Sequence, residues 1–330
     1  MREMLYGSWT AQAVYAAAEL DLADHVNDGA RDIPELASRT ETDPTSLYRL
    51  MRALASVGVF REEAPQRFAL TPLADCLRSG ATDSVKDLAL WYGGEVFRSY
   101  AGIVDSVRSG APSFETVYGM GLWEYLGRTP SAGGVFKRAM GAATWQEQLP
   151  LAETYDFSGL RCLVDVGGGE GSMLAAVLHS VPGLRGILVD VPSGVDRTMR
   201  HFVEAGVADR CCLSEGSAFE PLPRADGYMM SCLLHVMEDD AAARVMGRIR
   251  EAIEPAGRVL IVERIVSPAN EPGLAKFLDL SMLLVPGGRE RTEEEWRTLL
   301  DETGFALTRI VPLPYFSGGI ELCVIEGRPA

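Results

Sequence analysis

Two carboxylates and one imidazole stand where apolar runs end. Asp165 sits in Leu163-Val164-Asp165-Val166 and leads into Gly167-Gly168-Gly169-Glu170-Gly171-Ser172. Asp190 closes Ile187-Leu188-Val189-Asp190, and His235 closes Met229-Met230-Ser231-Cys232-Leu233-Leu234-His235. Glycines let the backbone bend sharply and admit a ligand with no Cβ in the way. A carboxylate nineteen residues past Gly171 can accept both hydroxyls of a ribose. It could also cap a helix, although Pro192 and Ser193 are able to start that helix without it. An imidazole, with an ordinary pKa of about 6.5, exchanges a proton near neutral pH. A histidine at a strand end is commonly only a satisfied polar group, but this one falls on the carboxyl edge of a sheet, where ligands bind. The glycines at 167, 169 and 171 spell D-x-G-x-G-x-G, not the G-x-G-x-x-G preferred by nucleotide dehydrogenases.

These residues need a particular scaffold. Cys162 to Val166 reads as a buried strand, the glycines as a tight turn, and Ser172 to His179 as the helix that follows. That unit opens a doubly wound α/β domain. From residue 158 the pattern alternates. Strands are expected over 161–166, 186–191, 210–214, 225–232, 257–265, 305–313 and 319–326, with helices near 172–180, 194–205, 239–253, 274–284 and 292–303. Only Pro314 to Gly318 separates the last two strands. That is too short for a helical crossover, so those strands are antiparallel.

The chain ahead of this domain is helical. Apolar residues at helical spacing predict one long helix over 4–26, through Leu5, Trp9, Val14, Leu20 and Val26. A second starts at Ile33, and Asp43-Pro44-Thr45 starts a third. Val59-Phe60 and Arg67-Phe68-Ala69-Leu70 predict a hairpin, completing a winged-helix pattern. Residues 1–80 carry eight Arg and no Lys against twelve Asp plus Glu. This acidic head has no basic stripe for a nucleic acid to meet. It reads as an assembly domain, and its apolar first helix as a homodimer surface. Residues 84–150 are helical and rich in aromatics, with Phe136, Met140 and Trp145 just ahead of the α/β domain.

The totals agree. The net charge of −15 repels nucleic acid and anionic membrane, and no apolar run approaches the length of a bilayer span. Six cysteines without a C-x-x-C pair read as reduced thiols in a cytoplasmic protein, neither a disulfide frame nor a zinc site.

Taken together, the motifs resemble those of a known family. The glycine turn is similar to the first motif of class I methyltransferases. The whole chain resembles the small-molecule O-methyltransferases that include caffeate, flavonoid and bacterial antibiotic-pathway enzymes. The resemblance is carried by Asp165 to Gly171, Leu188-Val189-Asp190-Val191-Pro192, Leu233-Leu234-His235, Ile261-Val262-Glu263 and Pro286-Gly287-Gly288-Arg289-Glu290-Arg291-Thr292, with Trp123 to Leu126 and Phe136 to Met140. It implies a mainly α winged-helix-like dimerisation domain at 1–83 and a helical linker and substrate-pocket region at 84–157. A Rossmann-like class I methyltransferase domain follows at 158–330, its seven-stranded sheet having the last strand antiparallel.

The family's activity is S-adenosylmethionine-dependent methylation of an aromatic small molecule's hydroxyl in secondary metabolism, with no metal. The resemblance implies His235 as general base, with Glu263 and Glu290 orienting it. The cofactor would be held by Asp165, Gly167, Gly168, Gly169, Gly171, Asp190, the loop Gly216-Ser217-Ala218-Phe219, and Ser231. Phe136, Met140, Trp145 and Met282 would wall the substrate, and Thr144 would face the methionine carboxylate. Three positions depart from the pattern. Ser217 stands where many relatives have Asp, Val236 where Asp commonly follows the histidine, and Ser231 where plant relatives carry Lys. A divergent member that keeps the cofactor but decarboxylates, hydroxylates or runs a pericyclic step is the alternative; retention of His235 and both glutamates favours methylation.

Overall fold

Asp43 accepts the Ser46 N–H at 2.8 Å and Pro44 follows as the first residue of the helix Pro44–Ser56, so the third helix starts as its sequence demands. The computed structural model describes residues 1–191, 195–314 and 322–330, with backbone alone for 142–150 and 195–197. Two units emerge, Met1–Val104 with Ser113–Ala143, and Asp105–Pro112 with Thr144–Ala330.

In the first unit the single helix expected over 4–26 is two, Arg2–Glu19 and Leu22–His25. The break is Asp21, left-handed at φ 51, whose carboxylate meets the Lys86 ammonium. The turn sends Leu22, Ala23 and Val26 into a core with Ile33, Leu36, Leu47, Met51, Leu54 and Phe68; a straight helix would spread them along one side. The hairpin of β2 (Phe60–Ala64) and β3 (Arg67–Leu70) gains a third strand, since β1 (Arg31–Asp32) also pairs with β3. On the first helix Met4, Leu5 and Trp9 are exposed, and Tyr6 stacks on Trp9 at 4.5 Å.

The second unit is built on seven strands. They are β4 (Cys162–Val166), β5 (Arg185–Asp190), β6 (Cys211–Glu215), β7 (Ala225–Ser231), β8 (Ile253–Arg264), β9 (Phe305–Pro312) and β10 (Leu322–Pro329). Their order is β6-β5-β4-β7-β8-β10-β9. Strands β4 to β8 pair in parallel, and β10 runs antiparallel to both neighbours. Successive strand residues face opposite sides of the sheet. Thus Leu163, Leu188, Met229, Leu260 and Val262 pack under the helix Ser172–Ser180. Val164, Val189, Met230, Val259 and Ile261 pack against the helices Asp239–Ala252 and Glu293–Glu302. Residues 319–321, where the last strand is expected to begin, lie outside the described residues. Among the described residues no helix is long and apolar enough to cross a membrane.

Candidate active site

The parallel strands all deliver their carboxyl ends to one edge. At the end of β4 the chain bends through Gly167, Gly169 and Gly171, all at positive φ, and Gly171 begins the helix Ser172–Ser180. Gly169 is exposed, and a Cβ added there would meet nothing within 4 Å. Its φ of 59 is one that L side chains adopt at a cost. Its N–H donates to Asp190 Oδ2 at 2.7 Å, while Oδ1 accepts the Val191 N–H at 2.6 Å. Asp190 therefore pins the bend from the end of β5. The next loop joins in, since the Gly216 N–H donates to the Asp190 carbonyl at 3.0 Å.

Ser217 supplies no carboxylate there, but Glu220 accepts the Ser217 N–H at 3.1 Å. Ala218 packs against the sheet core, and Phe219 lies 38% exposed with the Arg244 guanidinium 5.0 Å from its ring centre. Ser231 is half-buried at the end of β7. Asp165 is 1% exposed, behind the bend and against Gly168, and neither carboxyl oxygen has a hydrogen-bond partner among the described residues. Burial first, and then the neighbouring Asp190 charge, push its pKa up to about 7.

His235 belongs to the one-turn helix Leu234–Val236 that follows β7. Since β7 lies beside β4, the two loops touch: a Cβ on Gly167 would come within 2.9 Å of Leu233. The imidazole is set by two buried glutamates. Nδ1 lies 2.9 Å from Glu290 Oε1 and 3.8 Å from Glu263 Oε2. Glu263 Oε1 also accepts the Leu234 and His235 N–H groups at 3.0 and 3.3 Å. A carboxylate only accepts, so the short contact puts the ring proton on Nδ1 and leaves the Nε2 lone pair available.

The segment Gly288 to Arg291 clamps this turn. The Arg289 N–H donates to the His235 carbonyl at 2.9 Å. Arg291, fully buried, donates to the Leu234 carbonyl at 3.0 Å, the Met237 carbonyl at 3.1 Å and Asp239 at 2.9 Å. Gly288 fits so tightly that a methyl there would overlap the His235 carbonyl oxygen and the Val236 carbonyl carbon.

The charges oppose burial and prevail. Burial disfavours the imidazolium, but Glu263, and then Glu290, outweigh it and hold the His235 pKa above its ordinary value. Glu263 itself is pushed up, by burial and by Glu290, against the pull of His235.

The glycine bend, Asp190, the Gly216 loop, Ser231, His235, Glu263 and Glu290 thus share one sheet edge. Met282 lies in the same unit, half-buried, its carbonyl accepting the Gly287 N–H at 2.9 Å and the Gly288 N–H at 3.1 Å. Phe136 and Met140 belong to the other unit. Phe136 makes edge contacts with Trp91 and Trp123 at 5.0 and 6.0 Å, and Met140 is half-buried. The side chains of Thr144 and Trp145 lie outside the described residues. Sequence reasoning missed Arg291 and Gly288 as positioning residues. For Gly288 the pair Gly287-Gly288 carried a signal, since adjacent glycines mark a close backbone approach.

Comparison with known proteins fits this geometry. The family description "O-methyltransferase domain" matches residues 100–306, and "O-methyltransferase dimerisation domain" matches residues 2–80. Phenazine O-methyltransferase PhzM of Lysobacter antibioticus is 40% identical over 99% of this chain and 95% of its own. Aclacinomycin 10-hydroxylase RdmB of Streptomyces purpurascens is 36% identical over 90% of this chain and 82% of its own. A solved O-methyltransferase from neocarzinostatin biosynthesis, in complex with S-adenosylmethionine and 2-hydroxy-5-methyl naphthoic acid, superposes with a TM-score of 0.86. It is 31% identical and covers 97% of this chain and 96% of its own. Matched along both domains, the chain belongs to the O-methyltransferase family of enzymes.

Proposed function

We propose that this chain transfers a methyl group from S-adenosylmethionine to a hydroxyl of an aromatic small molecule of secondary, antibiotic-type metabolism, with His235 as general base. One observation carries the reading: the His235 ring is tied to Glu290 through Nδ1, on a turn whose Leu233 packs against the glycine bend. The residues suit the cofactor. Gly169 leaves open space, and Asp190 stands where ribose hydroxyls would be accepted. Asp165 and Gly168 support the bend from behind, and the Gly216 loop lies beside it. When bound, S-adenosylmethionine supplies an electrophilic methyl on a sulfonium. His235 Nε2 takes the acceptor's proton, and Glu263 and Glu290 stabilise the imidazolium that forms. The step uses no metal. Residues 1–83 form the homodimer surface through the exposed Met4, Leu5 and Trp9 face, residues 84–157 serve as linker and pocket region, and residues 158–330 hold the cofactor.

Incubation with methyl-labelled S-adenosylmethionine and a panel of phenols tests this. Label should enter a phenol as S-adenosylhomocysteine accumulates in equal amount. Product without that by-product would overturn methyl transfer and favour a non-methylating step, the second reading, which the hydroxylase relative supports.

Two predictions arise here. Asp190→Ala should weaken S-adenosylhomocysteine binding by about 10–100-fold in calorimetry, the loss expected for hydrogen bonds to a charged group; an unchanged affinity removes the ribose role. For His235 the sign is set by a raised pKa. The base is inactive while protonated, so kcat/KM should rise with pH through a midpoint above about 6.5. Glu290→Gln removes one of the charges that raises that pKa, and should move the midpoint to lower pH. A midpoint unmoved by the substitution would show that Glu290 does not govern the ring.

A further inference from the structure

The His235 turn carries a residue that proton transfer does not use. Cys232 stands three positions before the histidine, and Glu263 comes from the end of the adjacent strand. Ligating atoms of Cys232, His235 and Glu263 all lie within 4.8 Å of one another. No other such group of His, Cys, Asp and Glu occurs among the described residues. A second, independent observation points into the same space. Glu263 is fully buried, and its Oε2 accepts no hydrogen bond among the described residues. Leaving a buried carboxylate oxygen unbonded is costly, and a bound cation would satisfy it.

We propose that Cys232, His235 and Glu263 form a Zn²⁺ site, and that the ion silences the enzyme by occupying its base. The donor set selects the metal. Thiolate and imidazole favour zinc, whereas magnesium and calcium take oxygen ligands. Zinc bonds of about 2.0–2.3 Å place tetrahedral ligands roughly 3.3–3.8 Å apart, so the side chains need close by only about 1 Å. Charge also balances. The Arg264 guanidinium lies 3.6 Å from Cys232 Sγ, and with Zn²⁺ it offsets the thiolate and the two carboxylates of Glu263 and Glu290. Three protein ligands leave a fourth position for water. A ring nitrogen committed to the metal no longer offers its lone pair. If that nitrogen is Nδ1, the bond to Glu290 breaks and the proton moves to Nε2; if it is Nε2, the base itself is covered. Inhibition therefore rests on His235 being the base, whereas binding does not.

The test uses the full chain and ZnSO₄. Equilibrium dialysis with metal analysis should find one Zn²⁺ per chain with Cys232 required. Cys232→Ser should weaken that site by about tenfold or more, since even an outer partner of a metal ligand is worth 10–100-fold, while methyl transfer in chelator continues. Co²⁺ in place of Zn²⁺ should give the wild-type protein a sulfur-to-metal absorption band that Cys232→Ser lacks; the wild-type spectrum needs no variant to fold. Absence of a stoichiometric ion, or a band and affinity unaltered by Cys232→Ser, overturns the site. If Zn²⁺ binds through Cys232 yet methyl transfer proceeds undiminished, the silencing is overturned together with His235 as base, and the metal site stands.

Discussion

His235→Ala is expected to lower methyl transfer by about 10²–10⁴-fold, the usual worth of a general base, with S-adenosylhomocysteine affinity unchanged. The size of the effect follows from the acceptor. A phenol with a pKa of about 10, judged by Tyr, is only about 0.1% ionised at neutral pH, and the electrophile is the cofactor's own. What the protein adds is alignment and a proton acceptor. Alanine also strips Glu263 and Glu290 of the ring they face and leaves a cavity beside two buried acids. His235→Gln is therefore the companion variant, retaining bulk and hydrogen bonding without basicity. Single-turnover transfer of labelled methyl, with calorimetry for the cofactor, separates chemistry from binding. A rate within about threefold of wild type in both variants, well short of the loss a general base implies, would remove the imidazole from the mechanism.

Gly288→Ala is the second large effect. The atoms its methyl would strike are the His235 carbonyl oxygen and the backbone of Val236 and Met237. None is a flexible side-chain tip that could rotate away. Either the His235 turn or the clamp must move. Overpacking of this kind costs about 1–3 kcal/mol of stability, and a displacement of about 1 Å at a reacting group costs on the order of 10²-fold in rate. The expected result is a modest fall in melting temperature with a much larger fall in kcat, and nearly unchanged cofactor affinity, because Gly169 and Asp190 are held by separate hydrogen bonds. Wild-type kcat in Gly288→Ala would mean that the turn tolerates the shift and that the clamp does not set the ring.

Much of this architecture is legible in the sequence, for physical reasons. Buried parallel strands are continuous apolar runs, so β4, β5 and β7 fall within a residue or two of expectation. The short connection before β10 dictates its reversal. Other features depend on tertiary partners and leave little trace. Strand β8 begins at Ile253, ahead of Pro255, although the strand is expected only from residue 257. The register slips between Ala225 and Gly227 opposite it, and an irregular ladder is where a strand tolerates proline. The break at Asp21 has its partner in Lys86, sixty-five residues away. At the site, His235 can be placed by its strand, and Glu263 and Glu290 by resemblance. Arg291 cannot, because a buried arginine is legible only when the carbonyls of Leu234 and Met237 are in view. The nearness of Cys232 to Glu263 is likewise hidden, since it arises from the pairing of β7 with β8.

The reversed strand has a consequence for when the protein becomes competent during synthesis. Glu263 lies on β8, and β10 supplies one of the two neighbours of that strand, pairing Cys323 with Glu263 itself. Every residue of the glycine bend and His235 is made well before β10. Glu263 acquires its full surroundings only after residues 322–329 have emerged and inserted between β8 and β9. The last strand made thus completes the middle of the sheet, Val324 and Ile325 entering the cores on its two faces, so the site should become whole only at the end of synthesis.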